Sequence, residues 1–436
     1  MRPLTDLFTP QERLIFSLRS LYESFGYSRF PMRRFEEYAL YVENKSFLKS
    51  ESVLAFADAN GSLMALKPDV TLSIVKHAST KAKGIQKLYY HENVYRVSQT
   101  DHAFREIEQI GVELLGDVDL FGMCEVLRLA VESLQAVHED YVLEVSHMGF
   151  ANGLMDAAGL GDAEKAELFG LIRQKNGHEL RAKLRQMAVA ETQAESIARL
   201  ANLSGTFAET LPQAEAIAVS GETRAALREL AEIFAILAPL GLCRHMRLDF
   251  SILNDLDYYN GIVLQGYIKG APRMALSGGR YDHLMRKFGK TGGGMGFALY
   301  PDELTRLFAK PTAIDADVLV LYRPGEDAVQ LSKAVDALRM EGDEGGKRVL
   351  VMPLTAQLAA PPAKPVAAQL AIPINRANCP DSNITNGEEI CAPAGNICNG
   401  VSYGISSDTS FAAYGATGPC SVRTLLFQDG RLQEVE

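Results

Sequence analysis

The sequence predicts an α+β fold in which strand-rich and helix-rich stretches follow one another along the chain. Three observations support this prediction. Short apolar segments between residues 53 and 115 are typical of strands, helical periodicity dominates from about residue 119 to 237, and a strand–helix–strand pattern follows residue 313. Elements that cluster in this way favour a sheet with helices packed on it, followed by a small α/β unit.

The composition is that of an ordinary globular protein. The 436 residues are 47% hydrophobic and 22% charged, which excludes collagen-like and wholly disordered classes. No apolar run approaches the ~20 residues of a membrane span, and residues 1–6 lack the apolar core of a signal peptide. The net charge of −10, from 44 basic and 54 acidic residues, disfavours binding to a phosphate backbone.

The amino-terminal segment predicts a helix with clear signals at both ends. Thr9 followed by Glu12 forms a capping-box pattern, and Pro10 suits the first helical turn. Apolar residues then recur at helical spacing until Gly26, which ends the helix. The chain is expected to continue in an extended conformation.

Strands and one further helix are predicted in the next segment. Residues 53–57 and 63–66 flank the turn signal Asn60-Gly61 and predict a hairpin. Asp69 is placed to start a helix over residues 68–79. The remaining strands predicted in this region are 86–90, 93–97 and 106–115.

The pattern divides the chain into three predicted regions. Residues 1–310 form the main domain, with a helical insertion at about 151–238, and residues 313–354 form the α/β unit. Residues 355–436 form an atypical tail with few charges and much Ala, Pro and Gly.

No metal or cofactor site is predicted. Four cysteines of the tail contain no C-x-x-C pair, which disfavours a zinc site; they are Cys379, Cys391, Cys398 and Cys420. His91 and His102 have no metal-ligand partner at usable spacing and are predicted to lie on surface loops.

Four short clusters combine residue types suited to recognition of a small zwitterion. Gln109 and Glu113 share one face of a predicted strand, and a carboxylate such as Glu113 or Asp69 can hold an ammonium or imidazolium group. Paired tyrosines supply an apolar wall and hydroxyl donors. Taken singly, each cluster is better explained by turns and surface pairs than by a binding site. The clusters are 66–71, 95–96 with 104–113, 256–261, and 278–282 with 294–299.

Together and in this order, the clusters resemble the histidyl-tRNA synthetase branch of the class II aminoacyl-tRNA synthetases. Residues 27–31 resemble motif 1, residues 96–116 resemble motif 2, residues 256–259 match the histidine-specific Leu-Asp-Tyr-Tyr box, and residues 296–298 open motif 3. The resemblance covers about residues 5–308 and implies a mostly antiparallel sheet flanked by helices. The α/β unit resembles the start of that family's anticodon-binding domain.

The sequence departs from this family at positions that handle ATP. The resemblance implies a carboxylate two residues after Arg96, where this chain has Ser98. It implies a catalytic arginine at Asn254 and an arginine that binds the γ-phosphate at Glu303. Loss of a single such stabilising group commonly costs ~10²–10³ in rate. Synthetase activity is therefore not expected, and no catalytic residue is predicted.

The family's histidine-binding positions are retained. Asp69 and Thr71 correspond to its acid-x-threonine pair, with aspartate shortening the acid by one methylene. The positions that match identically are Arg96, Gln109, Glu113, Tyr258, Tyr259 and Tyr281. A pocket that keeps its amino-acid half and loses its nucleotide half resembles the ATP phosphoribosyltransferase regulatory subunits, which are catalytically inactive paralogues of the synthetase.

That second resemblance implies a regulatory subunit of the first step of L-histidine biosynthesis. Its implied partners are the short-form ATP phosphoribosyltransferase catalytic subunit, a second copy of this chain through the synthetase-like domain, and L-histidine as the feedback effector. It implies a cytoplasmic hetero-oligomer that needs no cofactor, tRNA or membrane. Two alternatives stay open at this point: a divergent histidyl-tRNA synthetase that activates histidine with ATP, and a stand-alone synthetase-like module that senses amino acids.

Overall fold

The structure is a computed structural model that divides into two compact units. One unit lies within Thr9–Ala309, and the other comprises Lys310–Glu436 together with Met1–Phe8. The residues described are 8–43, 53–78, 84–97, 103–253, 258–304, 307, 316–341, 347–354 and 423–435.

Strands in the described ranges form three sheets. In chain order they are β1 (Ser28–Arg29), β2 (Phe35–Glu37), β3 (Ala55–Ala57), β4 (Leu63–Leu66), β5 (Gln86–Val97), β6 (Phe104–Gly116), β7 (Tyr141–His147), β8 (Ser204–Gly205), β9 (Met246–Asp249), β10 (Ile262–Ile268), β11 (Leu276–Arg280), β12 (Gly293–Leu299), β13 (Val318–Tyr322), β14 (Val349–Pro353), β15 (Arg423–Gln428) and β16 (Arg431–Glu434).

The α-helices described alternate with these strands. They are α1 (Pro10–Ser24), α2 (Tyr38–Glu43), α3 (Val70–His77), α4 (Leu120–Val137), α5 (Met148–Ala157), α6 (Asp162–Arg173), α7 (Gly177–Gln186), α8 (Glu191–Arg199), α9 (Phe207–Glu215), α10 (Gly221–Leu237), α11 (Asp282–Lys287) and α12 (Ala328–Met340). Short 3₁₀ turns include Pro301–Leu304. The capping box predicted for α1 is present, since the Thr9 hydroxyl accepts from the Glu12 amide and the Glu12 carboxylate accepts from the Thr9 amide.

A nine-stranded sheet forms the centre of the first unit. Its strand order is β1-β5-β6-β12-β11-β10-β7-β9-β8, and only the β1–β5 and β7–β9 pairs are parallel. The predicted mostly antiparallel sheet flanked by helices is confirmed. The two segments predicted at 86–90 and 93–97 are one continuous strand, because every residue of β5 pairs with a residue of β6.

The two faces of this sheet have different partners. The main hydrophobic core contains residues of α1, α4 and helices α5 to α10. From β6 it includes Ile110, Val112 and Leu114. The alternate residues Gln109, Gly111 and Glu113 point to the other face. That face carries a smaller cluster built from residues of α3, β5 and α11. The candidate site residues therefore lie on the less covered face.

The predicted insertion is helical in the structure. Helices α5 to α10 lie between β7 and β9 in the chain. Their apolar faces belong to the same buried cluster as the sheet, with Phe150 of α5 packing 4.8 Å from Phe250, centroid to centroid. The insertion thus shares the core of the sheet and does not build a separate one.

The prediction for His91 is wrong. His91 lies in β5, where Arg19 donates a hydrogen bond to its Nδ1 (2.8 Å) and its Nε2 contacts Glu108 at 2.5 Å. Pairing of β5 with β6 brings Glu108 beside His91, and α1 brings Arg19. The prediction for His102 lies outside the described residues.

The second unit contains a four-stranded sheet in the order β14-β13-β15-β16. Strand β13 pairs in parallel with both β14 and β15, as expected of an α/β unit. The predicted tail 355–436 therefore contains two strands of this sheet, because Leu425 and Phe427 of β15 bury their side chains beside Val318 and Val320. Residues 355–422, with the four tail cysteines, lie outside the described residues.

Candidate functional site

The start of α3 forms one side of the candidate site. Asp69 caps this helix, and its Oδ1 accepts from the Leu72 amide at 2.8 Å. Arg96 of β5 donates through Nε to the Pro68 carbonyl at 2.9 Å and places Nη2 4.0 Å from Asp69 Oδ2. The Tyr258 hydroxyl donates to Asp69 Oδ1 at 3.5 Å. Three predicted site residues, Asp69, Arg96 and Tyr258, are thus adjacent.

Glu113 lies at the centre of the site. It projects from β6 and is 1% exposed. The Thr71 hydroxyl donates to its Oε1 at 2.6 Å, and the Tyr281 hydroxyl donates to its Oε2 at 2.5 Å. Because Thr71 belongs to α3 and Tyr281 precedes α11, this carboxylate connects three separate elements.

Burial makes the two acidic groups unusually easy to protonate. The pKa of Glu113 is raised to about 8, chiefly by burial and also by the nearby Asp69 carboxylate, although the hydrogen bonds from Thr71 and Tyr281 act to lower it. Burial also raises the pKa of Asp69, while the Arg96 guanidinium lowers it. Since burial penalises the charged carboxylate, a cationic ligand that restores the missing electrostatic stabilisation is favoured here.

Three tyrosines line the same space. The Tyr258 ring lies 4.7 Å from Tyr259 and 6.4 Å from Tyr281, centroid to centroid. Burial raises the pKa of each of these hydroxyls well above its usual value, so they remain protonated hydrogen-bond donors. The sequence prediction of a tyrosine wall is consistent with this arrangement.

Gln109 completes the polar lining. It is 4% exposed and lies four residues before Glu113 on the same face of β6. Within the part of the chain that the structure describes, its side-chain amide makes no hydrogen bond. Its amide is therefore available to a polar ligand that enters the site.

Two glycines of the fourth cluster, which were not predicted to be binding residues, make room for these side chains. A Cβ on Gly296 of β12 would overlap the Glu113 carboxylate, and a Cβ on Gly294 would overlap the Tyr281 ring. Gly296 pairs directly with Glu113 across the two strands. The sequence signal was the Gly-Phe-Ala opening of motif 3, whose steric role appears only when β12 lies beside β6.

An acidic cluster occupies the end of β12. Glu303 pairs with the exposed Arg273 at 3.3 Å, and Asp302 accepts from the Glu108 amide at 2.9 Å. Burial raises the pKa of Asp302, and the neighbouring carboxylates of Glu108, Glu303 and Glu106 add to this effect. Such a cluster repels a triphosphate. The predicted losses at Ser98 and Asn254 lie outside the described residues.

Comparison with known proteins places this geometry in a family. The family model of histidyl-tRNA synthetase matches residues 6–304. An ATP phosphoribosyltransferase regulatory subunit of Caldanaerobacter subterraneus is 31% identical over 336 residues, which cover 74% of this chain and 86% of that protein. This chain belongs to the family of ATP phosphoribosyltransferase regulatory subunits. The family is a non-catalytic branch of the histidyl-tRNA synthetase-like proteins.

Solved structures show the same fold. A chain from Bacillus halodurans, described as an ATP phosphoribosyltransferase regulatory subunit/histidyl-tRNA synthetase, aligns with a TM-score of 0.66 at 22% identity over 79% of this chain and 88% of that chain. A chain of the ATP phosphoribosyl transferase complex from Thermotoga maritima aligns with a TM-score of 0.53 at 19% identity over 67% and 97% of the respective chains. The class II synthetase-like fold of this regulatory subunit family is thereby confirmed.

The described residues offer neither a membrane-spanning helix nor a metal-binding cluster. None of the described helices is long and apolar enough to cross a membrane. The described residues contain no group of three or more His, Cys, Asp or Glu side chains that could hold a metal ion.

The raised pKa of Glu113 predicts a pH-dependent stability. Its folded-state pKa of about 8 exceeds the ordinary value of 4.5, so between these values the folded chain binds more protons than the unfolded chain. The free energy of unfolding should therefore fall as pH rises from about 5 to 8, by on the order of a few kcal/mol from this group. Denaturant unfolding of wild type and Glu113→Gln at both ends of this range measures the difference.

The Gln variant should lose that slope because it cannot titrate. Glu232→Gln, at an exposed position on α10, is the matched control and should keep the wild-type slope. Equal slopes for wild type and Glu113→Gln would show that Glu113 does not titrate in this range.

Proposed function

We propose that this chain binds L-histidine as an effector and transmits its presence to ATP phosphoribosyltransferase. The observation that carries the proposal is Glu113, a buried carboxylate fixed by Thr71 and Tyr281 and favoured to meet a cationic ligand. L-Histidine carries an ammonium group and a basic imidazole, and both are suited to such a site.

The residues around Glu113 divide the ligand between them. We assign Asp69 and Thr71 to the ammonium group, Arg96 to the carboxylate, and Gln109 with Glu113 to the imidazole nitrogens. The rings of Tyr258 and Tyr259, 4.7 Å apart, supply the apolar wall against which the imidazole packs. This assignment follows the family resemblance and is supported by the clustering of the described members.

The partner follows from family membership. The relatives are named regulatory subunits, and the Thermotoga maritima structure is a complex. We therefore assign the phosphoribosyl transfer to a separate short-form catalytic subunit, with this chain self-associating through its synthetase-like unit. The net charge of −10 agrees with a protein that does not bind tRNA.

Feedback requires more than binding. L-Histidine must bind the inactive state of the assembly more tightly than the active state, because an effector with equal affinity shifts no equilibrium. The test is reconstitution of ATP phosphoribosyltransferase from its catalytic subunit with this chain. Activity should depend on this chain and fall on addition of L-histidine. Activity that is indifferent to this chain would overturn the proposal.

The acidic cluster at β12 predicts no amino-acid activation. In an ATP–pyrophosphate exchange assay with L-histidine, the purified chain should show no exchange above background, because the family resemblance implies a phosphate-binding arginine where this chain has Glu303. A functional histidyl-tRNA synthetase assayed in parallel is the control. Robust exchange would instead support the divergent-synthetase alternative.

A further inference from the structure

A second cavity lies on the same unit, away from the candidate histidine site. It has a volume of about 420 Å³ and is lined by residues of β7, β9 and β10 and by the segment that ends α6. None of its lining residues belongs to the histidine site. Strands β12, β11 and β10 separate Glu113 of β6 from Glu144 of β7.

The floor of this cavity is polar and ordered by cross-strand pairing. Glu144 of β7 is directly opposite Gln265 of β10. The Tyr267 hydroxyl donates to Gln265 Oε1 at 2.8 Å and so occupies the carbonyl oxygen of that amide. Gln265 lines the cavity, and this hydrogen bond does not use its amide nitrogen.

The neighbouring acid on the floor is already satisfied. Asp249 is 4% exposed and accepts from the Ser251 amide at 2.8 Å and the Ser251 hydroxyl at 2.5 Å. Lys175 pairs with its other oxygen at 2.8 Å. The positive charge of Lys175 is thus paired with Asp249, and it does not fully neutralise the carboxylate of Glu144.

Glu144 is the acid that lacks a partner. It is half-buried and, among the residues the structure describes, makes no hydrogen bond or ion pair. Burial raises its pKa, the Asp249 charge raises it further, and Lys175 lowers it. A half-buried carboxylate without a donor is stabilised by an incoming cation.

The rim carries the complementary charge. Arg173, the last residue of α6, is exposed and forms no ion pair in the described ranges. Ile252 and Leu253, both buried, add an apolar wall. An unpaired carboxylate, an apolar wall and an unpaired guanidinium therefore line one cavity.

We propose that this cavity binds a small zwitterion whose ammonium group pairs with Glu144 and whose acid group pairs with Arg173. The inference is independent of the histidine site, because the two sites share no residue. It gives this regulatory subunit a second site for an amino-acid-like ligand.

Methyl NMR of the full chain, labelled at isoleucine δ1 methyls, tests the proposal. The probes are γ-aminobutyrate and ε-aminocaproate, which carry both charges at two spacings, and the controls are butylamine and butyrate, which carry one each. At least one zwitterion should shift the Ile252 signal and leave Ile107, in the cluster beside the histidine site, unchanged. Butylamine and butyrate should each bind at least about tenfold more weakly than that zwitterion.

Variants separate a built site from general affinity. Glu144→Gln and Arg173→Gln should each weaken zwitterion binding about tenfold, whereas Glu232→Gln, at an exposed position on α10, should leave it unchanged. Arg173 is exposed, so its variant tests the site even if Glu144→Gln does not fold. Absence of an Ile252 shift with both zwitterions, or equal affinity in wild type and Arg173→Gln, would overturn the proposal.

Discussion

Replacing Glu113 by glutamine should weaken L-histidine binding by about 10²-fold. A hydrogen bond to a charged group contributes about 1.5–3 kcal/mol, and 1.4 kcal/mol corresponds to a factor of ten in affinity. Glutamine keeps the size of the side chain but cannot accept from the ligand with a full negative charge. Because Thr71 and Tyr281 both donate to Glu113, the variant also disturbs the orientation of the group.

Isothermal titration with L-histidine measures this effect, on the isolated chain and on the reconstituted complex. Glu232→Gln is the matched control, because it removes an exposed carboxylate of α10 that belongs to neither proposed site. It should bind L-histidine as the wild type does. If Glu113→Gln binds and inhibits normally in both preparations, the proposed histidine site is wrong.

Replacing Gly296 by alanine should remove L-histidine binding and destabilise the chain. The added Cβ would overlap both the Glu113 carboxylate and the Val112 carbonyl oxygen, and the second of these is backbone that cannot rotate away. Overpacking of a well-packed interior typically costs about 1–3 kcal/mol, and this position is at the upper end because strand pairing is affected. One added methyl group should therefore disturb both the Glu113 side chain and the pairing of β12 with β6.

Denaturant unfolding and isothermal titration of Gly296→Ala measure the two effects. Gly170→Ala is the control, because a Cβ at Gly170 of α6 meets no atom within 4 Å. Alanine inside a helix should stabilise by roughly 0.5–1 kcal/mol relative to glycine and leave binding intact. A Gly296→Ala chain with wild-type stability and affinity would contradict the packing described here.

Local features of the fold were predictable because short-range physics decides them. The Thr9 capping box and the Asp69 cap depend on residues three positions apart, so the sequence alone indicates them. The alternation of Gln109 and Glu113 with apolar residues likewise predicted the face of β6 on which the site lies. His91 was misplaced because its environment depends on Arg19 and Glu108, which reach it only through strand pairing.

The residues of the candidate site could be predicted from the sequence, because they belong to four short clusters whose order and content resemble a known family. Their electrostatic properties were decided by the tertiary structure. Glu113 meets Thr71 and Tyr281 from 42 and 168 residues away, and their contacts with its buried carboxylate help to set its pKa. Asp69 meets Tyr258 across 189 residues.

The family was thus specified by short motifs, whereas charge balance and steric room required the assembled sheet. Gly296 matters because β12 lies beside β6. The second cavity forms where the pairing of β7 with β10 sets Glu144 opposite Gln265 and where Arg173 of α6 contributes to the lining. Local conformational preferences depend on residues that are close together in the sequence. Burial and its electrostatic consequences depend on which distant residues exclude water, and only the folded chain determines that.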